Sequence, residues 1–241
     1  MMRVLVYGLG SIGQRHIKNL NIIYKNVKFA TTSKIDNRKL IGYKKIFKNK
    51  LLSNEYEIKY LANSKEIKLF DPNLILITND SNLHIKTLLP YLNKNINIFI
   101  EKPLAINSSD LKKLNLKIKN SRAFTAVGYQ TRFHPCVKYI EDYLKKNKKR
   151  IIHSNFNWET YLPDHRPWQN YKKSYVALNK KGGGAIHSLS HEIDLIYNFF
   201  GMPNSLVAFE NDKIINIEAD ENISSLINYK NFSVILNLSL S

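Results

Sequence analysis

The chain has 241 residues, 44% of them apolar, and a formal net charge of +18 from 37 Lys and Arg against 19 Asp and Glu. Its single cysteine, Cys136, excludes an internal disulfide and a Cys-rich zinc site, and no apolar run approaches the roughly 20 residues that span a bilayer. The opening MMRVLVYGLGSIG is too short in its apolar part for a secretory signal, and the lysines are spread among asparagines and isoleucines without a nucleic-acid motif. A cytoplasmic protein is expected, with no membrane and no specific nucleic acid as partner.

RVLVYGLGSIGQRHIKNL predicts a buried strand over 3–7, three glycines and then a helix. Gly8 allows a tight turn, Gly10 lets backbone approach a pyrophosphate, and Gly13 lets helix and strand pack closely; Ser11 and Ile12 open the helix whose free N–H groups would receive the phosphates. The next strand, VKFATTSK, ends without the carboxylate that a ribose 2′-hydroxyl calls for. Ser33, Lys34 and Arg38 stand there instead, which favours NADP over NAD.

Alternation continues with helices near 63–70, 82–93 and 107–119 and strands over 73–78, 95–100 and 123–128, the pattern of a doubly wound parallel sheet. Thr78, Asn79, Glu101, Lys102, Pro103 and Gly128 to Gln130 fall at strand carboxyl ends, where such sheets bind ligands. The fold class expected is α/β: an N-terminal Rossmann domain over 1–122, then an α+β domain over 123–241 with a largely antiparallel open sheet.

In the second domain a basic helix over 136–149 precedes a strand over 151–161. The polar and aromatic segment that follows, with Tyr161, His165, Arg166, Trp168 and Tyr175, suits sugar recognition, Arg166 and Trp168 reading equally well as interface residues. Three glycines at 182–184 lead into one amphipathic helix over 185–200 that carries His187, His191 and Asp194 on a shared face; the glycines leave room for a ligand or another backbone. SLVAFEND, KIINIEA, NISSLINYK and FSVILNLSLS alternate every two residues and read as a four-stranded antiparallel meander, whose second face would bury against a partner in a homodimer or homotetramer. The sequence stops inside what reads as a strand, so the second domain is expected to be incomplete.

Five ordered motifs resemble the Gfo/Idh/MocA family of NAD(P)-dependent oxidoreductases: GLGSIG, TNDSNLH (78–84), EKP (101–103), GYQTRFHP (128–135) and GGG followed by SHEIDL. The resemblance implies hydride transfer between a nicotinamide cofactor and a CH–OH carbon of a sugar, polyol or nucleotide sugar, with Lys102 and His191 handling the hydroxyl proton. It places His84, Glu101 and Gln130 at the cofactor with Thr78 and Asn79, and Arg132 and Asp194 with substrate. Relatives often carry Asp three or four residues before the helix histidine, where this chain has Ser188 and His187, so His187 serves either as second acid/base group or as a substrate ligand. Asp194 equally fits a salt bridge and His84 a helix start. A metal site is not expected, since HEID is not H-E-x-x-H. Two other classes stand open: a cofactor-binding sugar sensor or subunit without turnover, and a relative that uses the cofactor transiently in hydrolysis or elimination.

Overall fold

The computed structural model describes residues 1–42, 45–147 and 151–241, in two compact units, Met1–Gly128 and Tyr129–Ser241. Among the described residues no helix is long and apolar enough to cross a membrane.

The first unit is built on β1 (Met2–Tyr7), whose apolar run is buried on both faces. Val4 and Val6 enter one core with Leu9, Ile17 and Phe29, while Leu5 enters another with Ile75, Ile77, Ile98 and Ile100, as the two-residue period of a strand requires. α1 (Ser11–Ile23) leads to β2 (Val27–Thr31), followed by a hairpin of β3 (Lys39–Gly42) and β4 (Lys45–Leu51), the short α2 (Leu52–Glu55) and β5 (Ile58–Tyr60). Then come α3 (Ser64–Phe70), β6 (Leu74–Ile77), α4 (His84–Leu88), β7 (Asn97–Ile100), α5 (Ser108–Ile118) and β8 (Phe124–Val127). The six-stranded sheet runs β5-β2-β1-β6-β7-β8, all parallel. Its order reverses between β1 and β6, the switch point at which such sheets bind ligands.

Phe124–Val127 pairs with Asn97–Ile100, so the unit runs past residue 122 to Gly128. The helix expected over 82–93 is broken: one α-helical stretch, His84–Leu88, lies between 3₁₀ turns at Ser81–Leu83 and Leu89–Tyr91, because Pro90 has no N–H with which to continue it.

The second unit comprises α6 (Pro135–Asn147), β9 (His153–Glu159), α7 (Leu162–His165), α8 (Ala185–Ser188), α9 (Ser190–Phe200), β10 (Ser205–Glu210), β11 (Asn222–Asn228) and β12 (Ser233–Ser239). Residues 148–149 of the expected basic helix lie outside the described residues. The sheet order is β10-β11-β12-β9; the first two pairings are antiparallel and the last is parallel. The sheet is therefore largely antiparallel, but its fourth strand is β9 and not KIINIEA. That segment is irregular, although Ile215, Ile217 and Ala219 are buried as its alternation suggested. The Glu221 carboxylate, 0% exposed, accepts hydrogen bonds from the N–H groups of Ile214, Ile215 and Ile217 at 2.7, 2.9 and 2.8 Å, and the Lys213 ammonium donates to the carbonyls of Ile217, Glu218 and Ala219. Side chains thus satisfy the backbone groups that a neighbouring strand would have taken.

Candidate functional site

In the first unit the chain turns after β1 at Gly8, whose φ of +96° few other residues adopt, and a Cβ there would lie 2.5 Å from the Thr78 carbonyl oxygen. A Cβ on Gly13 would lie 2.1 Å from the Gly8 carbonyl oxygen, so α1 packs against the turn itself. Gly10 differs: nothing stands within 4 Å of an added Cβ. It is also the N-cap of α1, with no side-chain cap bond, and the first helical turn, beginning at Ser11 and Ile12, holds no acid. An open approach and an uncapped helix terminus fit the pyrophosphate of a dinucleotide. The Thr78 hydroxyl is directed at the loop itself, 2.9 and 2.7 Å from the carbonyls of Tyr7 and Gly8. Asn79 donates from Nδ2 to Thr87, while its buried Oδ1 has no partner among the described residues.

Beyond β2, the Ser33 N–H bonds to the Thr31 hydroxyl and Lys34 is exposed. Arg38 donates to the carbonyls of Lys34 and Leu9 at 3.3 and 3.2 Å, which sets a cation beside the glycine turn. Gln14, absent from the sequence reading, ties this region together: its buried amide donates to the carbonyls of Leu9 and Lys39 and accepts from the Ile41 N–H.

His84 is 1% exposed, with Nδ1 2.8 Å from the Pro103 carbonyl and Nε2 3.1 Å from that of Asn79. Burial, outweighing those two acceptors, holds its pKa below the ordinary histidine value. The ring lies between the loop after β6 and the loop after β7 with a backbone carbonyl facing each nitrogen, and in its neutral form its one N–H donates to a single one of them. The latter loop carries Glu101 and the half-buried Lys102, joined to Pro103 by a cis peptide bond. His16 of α1 donates from Nε2 to Glu101 Oε1 at 2.7 Å and meets Phe99 edge-on. The G-x-G-x-x-G spacing did not single out His16, although it stands one helical turn after Gly13.

In the second unit, the turn Gln130–Phe133 surrounds His191. Gln130 Nε2 is 3.3 Å from His191 Nε2, the Thr131 hydroxyl is 3.4 Å from Nδ1, and the Tyr129 ring meets the imidazole edge-on at 5.7 Å. Arg132 and Asp194, both expected at substrate, are bonded to each other. The helix expected over 185–200 is two: α8 and α9 break at Leu189, with His187 on the first and His191 on the second. His187 Nδ1 donates to the Gly183 carbonyl at 3.1 Å.

The room left by the glycines is filled. A Cβ on Gly183 would lie 2.3 Å from the Val176 carbonyl oxygen, and one on Gly184 would lie 1.9 Å from Asp220 Oδ1. Asp220 accepts from the Ile186 N–H at 2.9 Å and so caps α8, a role no local signal announces. In the segment 161–175, His165 lies 2.5 Å from the Thr160 hydroxyl and Arg166 sits over the Tyr175 ring. His165 and Tyr175 border one small cavity; Tyr161, which is exposed, and Trp168 do not. Among the described residues no group of three or more His, Cys, Asp and Glu could hold a metal ion.

The Gfo/Idh/MocA model, an oxidoreductase family with an NAD-binding Rossmann fold, matches residues 2–129. The chain belongs to the Gfo/Idh/MocA family. Its curated relatives include a myo-inositol 2-dehydrogenase of Thermotoga maritima, 24% identical over 58% of this chain and 40% of the relative. An inositol 2-dehydrogenase of Salmonella typhimurium is 25% identical over 80% of this chain and 52% of the relative. The chain thus spans about half the length of these relatives. The WlbA dehydrogenase of Chromobacterium violaceum, solved with NADH and UDP-GlcNAcA, superimposes with a TM-score of 0.79 at 16% identity, over 99% of this chain and 67% of that one. The Thermus thermophilus WlbA dehydrogenase, solved with NAD and α-ketoglutarate, gives 0.75 at 17%, over 100% and 74%. At these identities the likeness shows the fold alone.

Proposed function

We propose that the chain transfers a hydride between NADP, or less favourably NAD, and a hydroxyl or keto carbon of a sugar, polyol or nucleotide sugar in the cytoplasm. The observation that carries this reading is the open, uncapped approach at Gly10, at the switch point of a parallel sheet, with Lys102 just beyond the carboxyl end of β7. The relatives named for inositol oxidation and the WlbA structures with NADH and a nucleotide sugar support the substrate class.

Gly8, Gly10, Ser11, Ile12 and Gly13 hold the pyrophosphate, and Ser33, Lys34 and Arg38 the 2′-phosphate. Thr78 and His84 shape the loops that carry Asn79, Glu101 and Lys102. The bound nicotinamide supplies the hydride acceptor or donor. Lys102 and His191 take or return the hydroxyl proton, an exchange suited to an imidazole near neutrality, while Gln130 and Thr131 orient the His191 ring. His187, with Nδ1 committed to Gly183, presents Nε2 to substrate. The first unit binds cofactor; the second binds substrate and self-associates through its open sheet, where Val207, Leu226 and Ile235 form an exposed apolar row in register.

Fluorescence titration of the 241-residue protein with NADPH and with NADH tests the reading, followed by a screen of sugars and polyols for reduced cofactor. Binding with NADPH preferred, and net reduction with at least one sugar, is the expected result. A folded protein that binds neither dinucleotide would refute it.

A further inference from the structure

In the first unit a cavity of about 620 Å³ opens between α3 and the residues that lead into β6 and β7. Its size falls within the range of roughly 300–1,000 Å³ that holds small organic ligands. Pro72 and Ile96 stand shortly before the amino ends of the two strands, whereas Thr78 and Glu101 follow their carboxyl ends. At about 3.3 Å per residue, these four-residue strands set the cavity about 13 Å from the carboxyl-end crevice proposed for the dinucleotide. The floor is apolar: Ile67 and Pro72 line it beside Tyr91 and Ile96, which are 5% and 8% exposed. The Tyr91 hydroxyl is fixed 2.5 Å from that of Tyr7, and Lys94 Nζ lies over the Tyr91 ring, 4.9 Å from its centre. That contact holds one ammonium against the floor instead of out in water.

Lys65 and Lys68 bring two more ammonium groups from α3, and Asp71 is the one acid of the lining among the described residues. Three lysines against one acid leave a surplus of two positive charges. The carboxylates at hand are engaged elsewhere: Asp71 Oδ2 accepts from Arg3 Nη2 at 2.6 Å, and Glu66, also on α3, accepts from the Ala62 N–H and the Asn63 amide. A phosphomonoester carries about −1.5 to −2 at pH 7, which matches the surplus, and lysine binds phosphate as a point charge. The guanidinium fork that recognises a planar carboxylate is absent from the lining among the described residues. We propose that this cavity binds a phosphomonoester with an apolar or aromatic body, at the amino end of the sheet and apart from the dinucleotide. The phosphate meets the three lysines, and the body rests on Pro72, Tyr91 and Ile96. Such binding requires no hydride transfer.

The test is an amide NMR titration of the full chain with phenyl phosphate, inorganic phosphate and benzoate, in the absence and presence of NADPH. Phenyl phosphate should shift resonances of residues 64–72 and 91–96, equally with and without the dinucleotide. Inorganic phosphate, which lacks the apolar body, and benzoate, which lacks the second charge, should each bind there roughly fivefold or more weakly. Lys65→Gln combined with Lys68→Gln should weaken phenyl phosphate by roughly tenfold or more. Both side chains are exposed, so the melting temperature should hold. Lys145→Gln combined with Lys146→Gln makes the same charge change on α6, and should leave the affinity within about twofold. No shift with phenyl phosphate, shifts spread over α6, or equal weakening in the two double variants would overturn the site, the last two by showing a general attraction of anions to a chain of net charge +18. Inorganic phosphate binding as tightly as phenyl phosphate would overturn the role of the apolar floor, and benzoate binding as tightly would overturn the phosphate. Displacement by NADPH would overturn the separation from the dinucleotide. A chain that binds no dinucleotide would still bind phenyl phosphate, so failure of the oxidoreductase reading is distinguishable from failure here.

Discussion

Arg132 grips Asp194 with both arms of its guanidinium, Nε to Oδ2 at 2.7 Å and Nη2 to Oδ1 at 2.6 Å, and the Asp194 side chain is 8% exposed. The bond joins the turn at 130–133 to α9 and sets the distance between Gln130 and His191. Asp194→Asn or Arg132→Ala should each lower stability by about 1–3 kcal/mol, the lower part of the range for a buried pair because Arg132 is partly in water. Arg132→Met combined with Asp194→Leu should recover most of that loss. Urea denaturation of the single and double variants measures the coupling; additive losses would show that the pair contributes nothing as a pair.

Glu221 gives stability a pH dependence. Burial alone would raise its pKa, but the three backbone N–H donors, aided by Lys213, bring it below the usual carboxylate value. A carboxyl whose folded pKa is depressed stabilises the fold above its unfolded pKa and loses that contribution as pH falls through the folded value. Glu221→Gln should cost about 1–3 kcal/mol at pH 7, and the gap from wild type should narrow at about pH 3–4. Urea midpoints at the two pH values decide it; a constant gap would mean that the carboxylate charge is immaterial.

Lys34 and Arg38 are expected to set the cofactor preference. Replacing both by Ala should weaken NADPH at least tenfold and leave NADH within about threefold. Arg38 also bonds to Leu9, so Lys34→Ala alone separates charge from loop structure. Equal weakening of both dinucleotides would place the pair away from the 2′-position.

His191→Ala should cut turnover at least roughly a hundredfold while leaving NADPH affinity unchanged, as expected on removing an acid/base group. The readouts are a dissociation constant and a rate on whichever sugar proves active. Loss of cofactor affinity together with rate would make the histidine a structural residue of α9.

The first unit was largely legible because its signals are local. Strands buried on both faces read as unbroken apolar runs, and glycine spacing reports a turn directly. The hairpin of β3 and β4 carries no legible period: its described residues mix exposed and half-buried positions without alternation, none is fully buried, and it is fastened by Gln14 from far upstream. The reading of KIINIEA failed for a physical reason. Alternation marks which residues are buried, but whether the backbone pairs with a strand depends on Glu221 and Lys213, whose role only the folded chain reveals. Likewise Ala185, Leu189 and Ile196 face one core across the break at Leu189, so apolar spacing passes through it. Gly183 and Gly184 read as points of close approach, yet the partner of Gly184, Asp220, is too distant in sequence to be guessed.

The parallel pairing of β9 with β12 has a consequence for biosynthesis. Among the described residues β9 has no neighbour in the sheet except β12, and Asn157 waits for Asn237, 80 residues later in the chain. At a ribosome adding about 5–20 residues per second, that is roughly 4–16 s during which the apolar side of β9, including Phe156, has no strand beside it. The six parallel strands of the first unit are all made before β9, so a finished Rossmann sheet can ride on the nascent chain while the second unit is still unpaired. Codon choice between β9 and β12 would set how long that interval lasts.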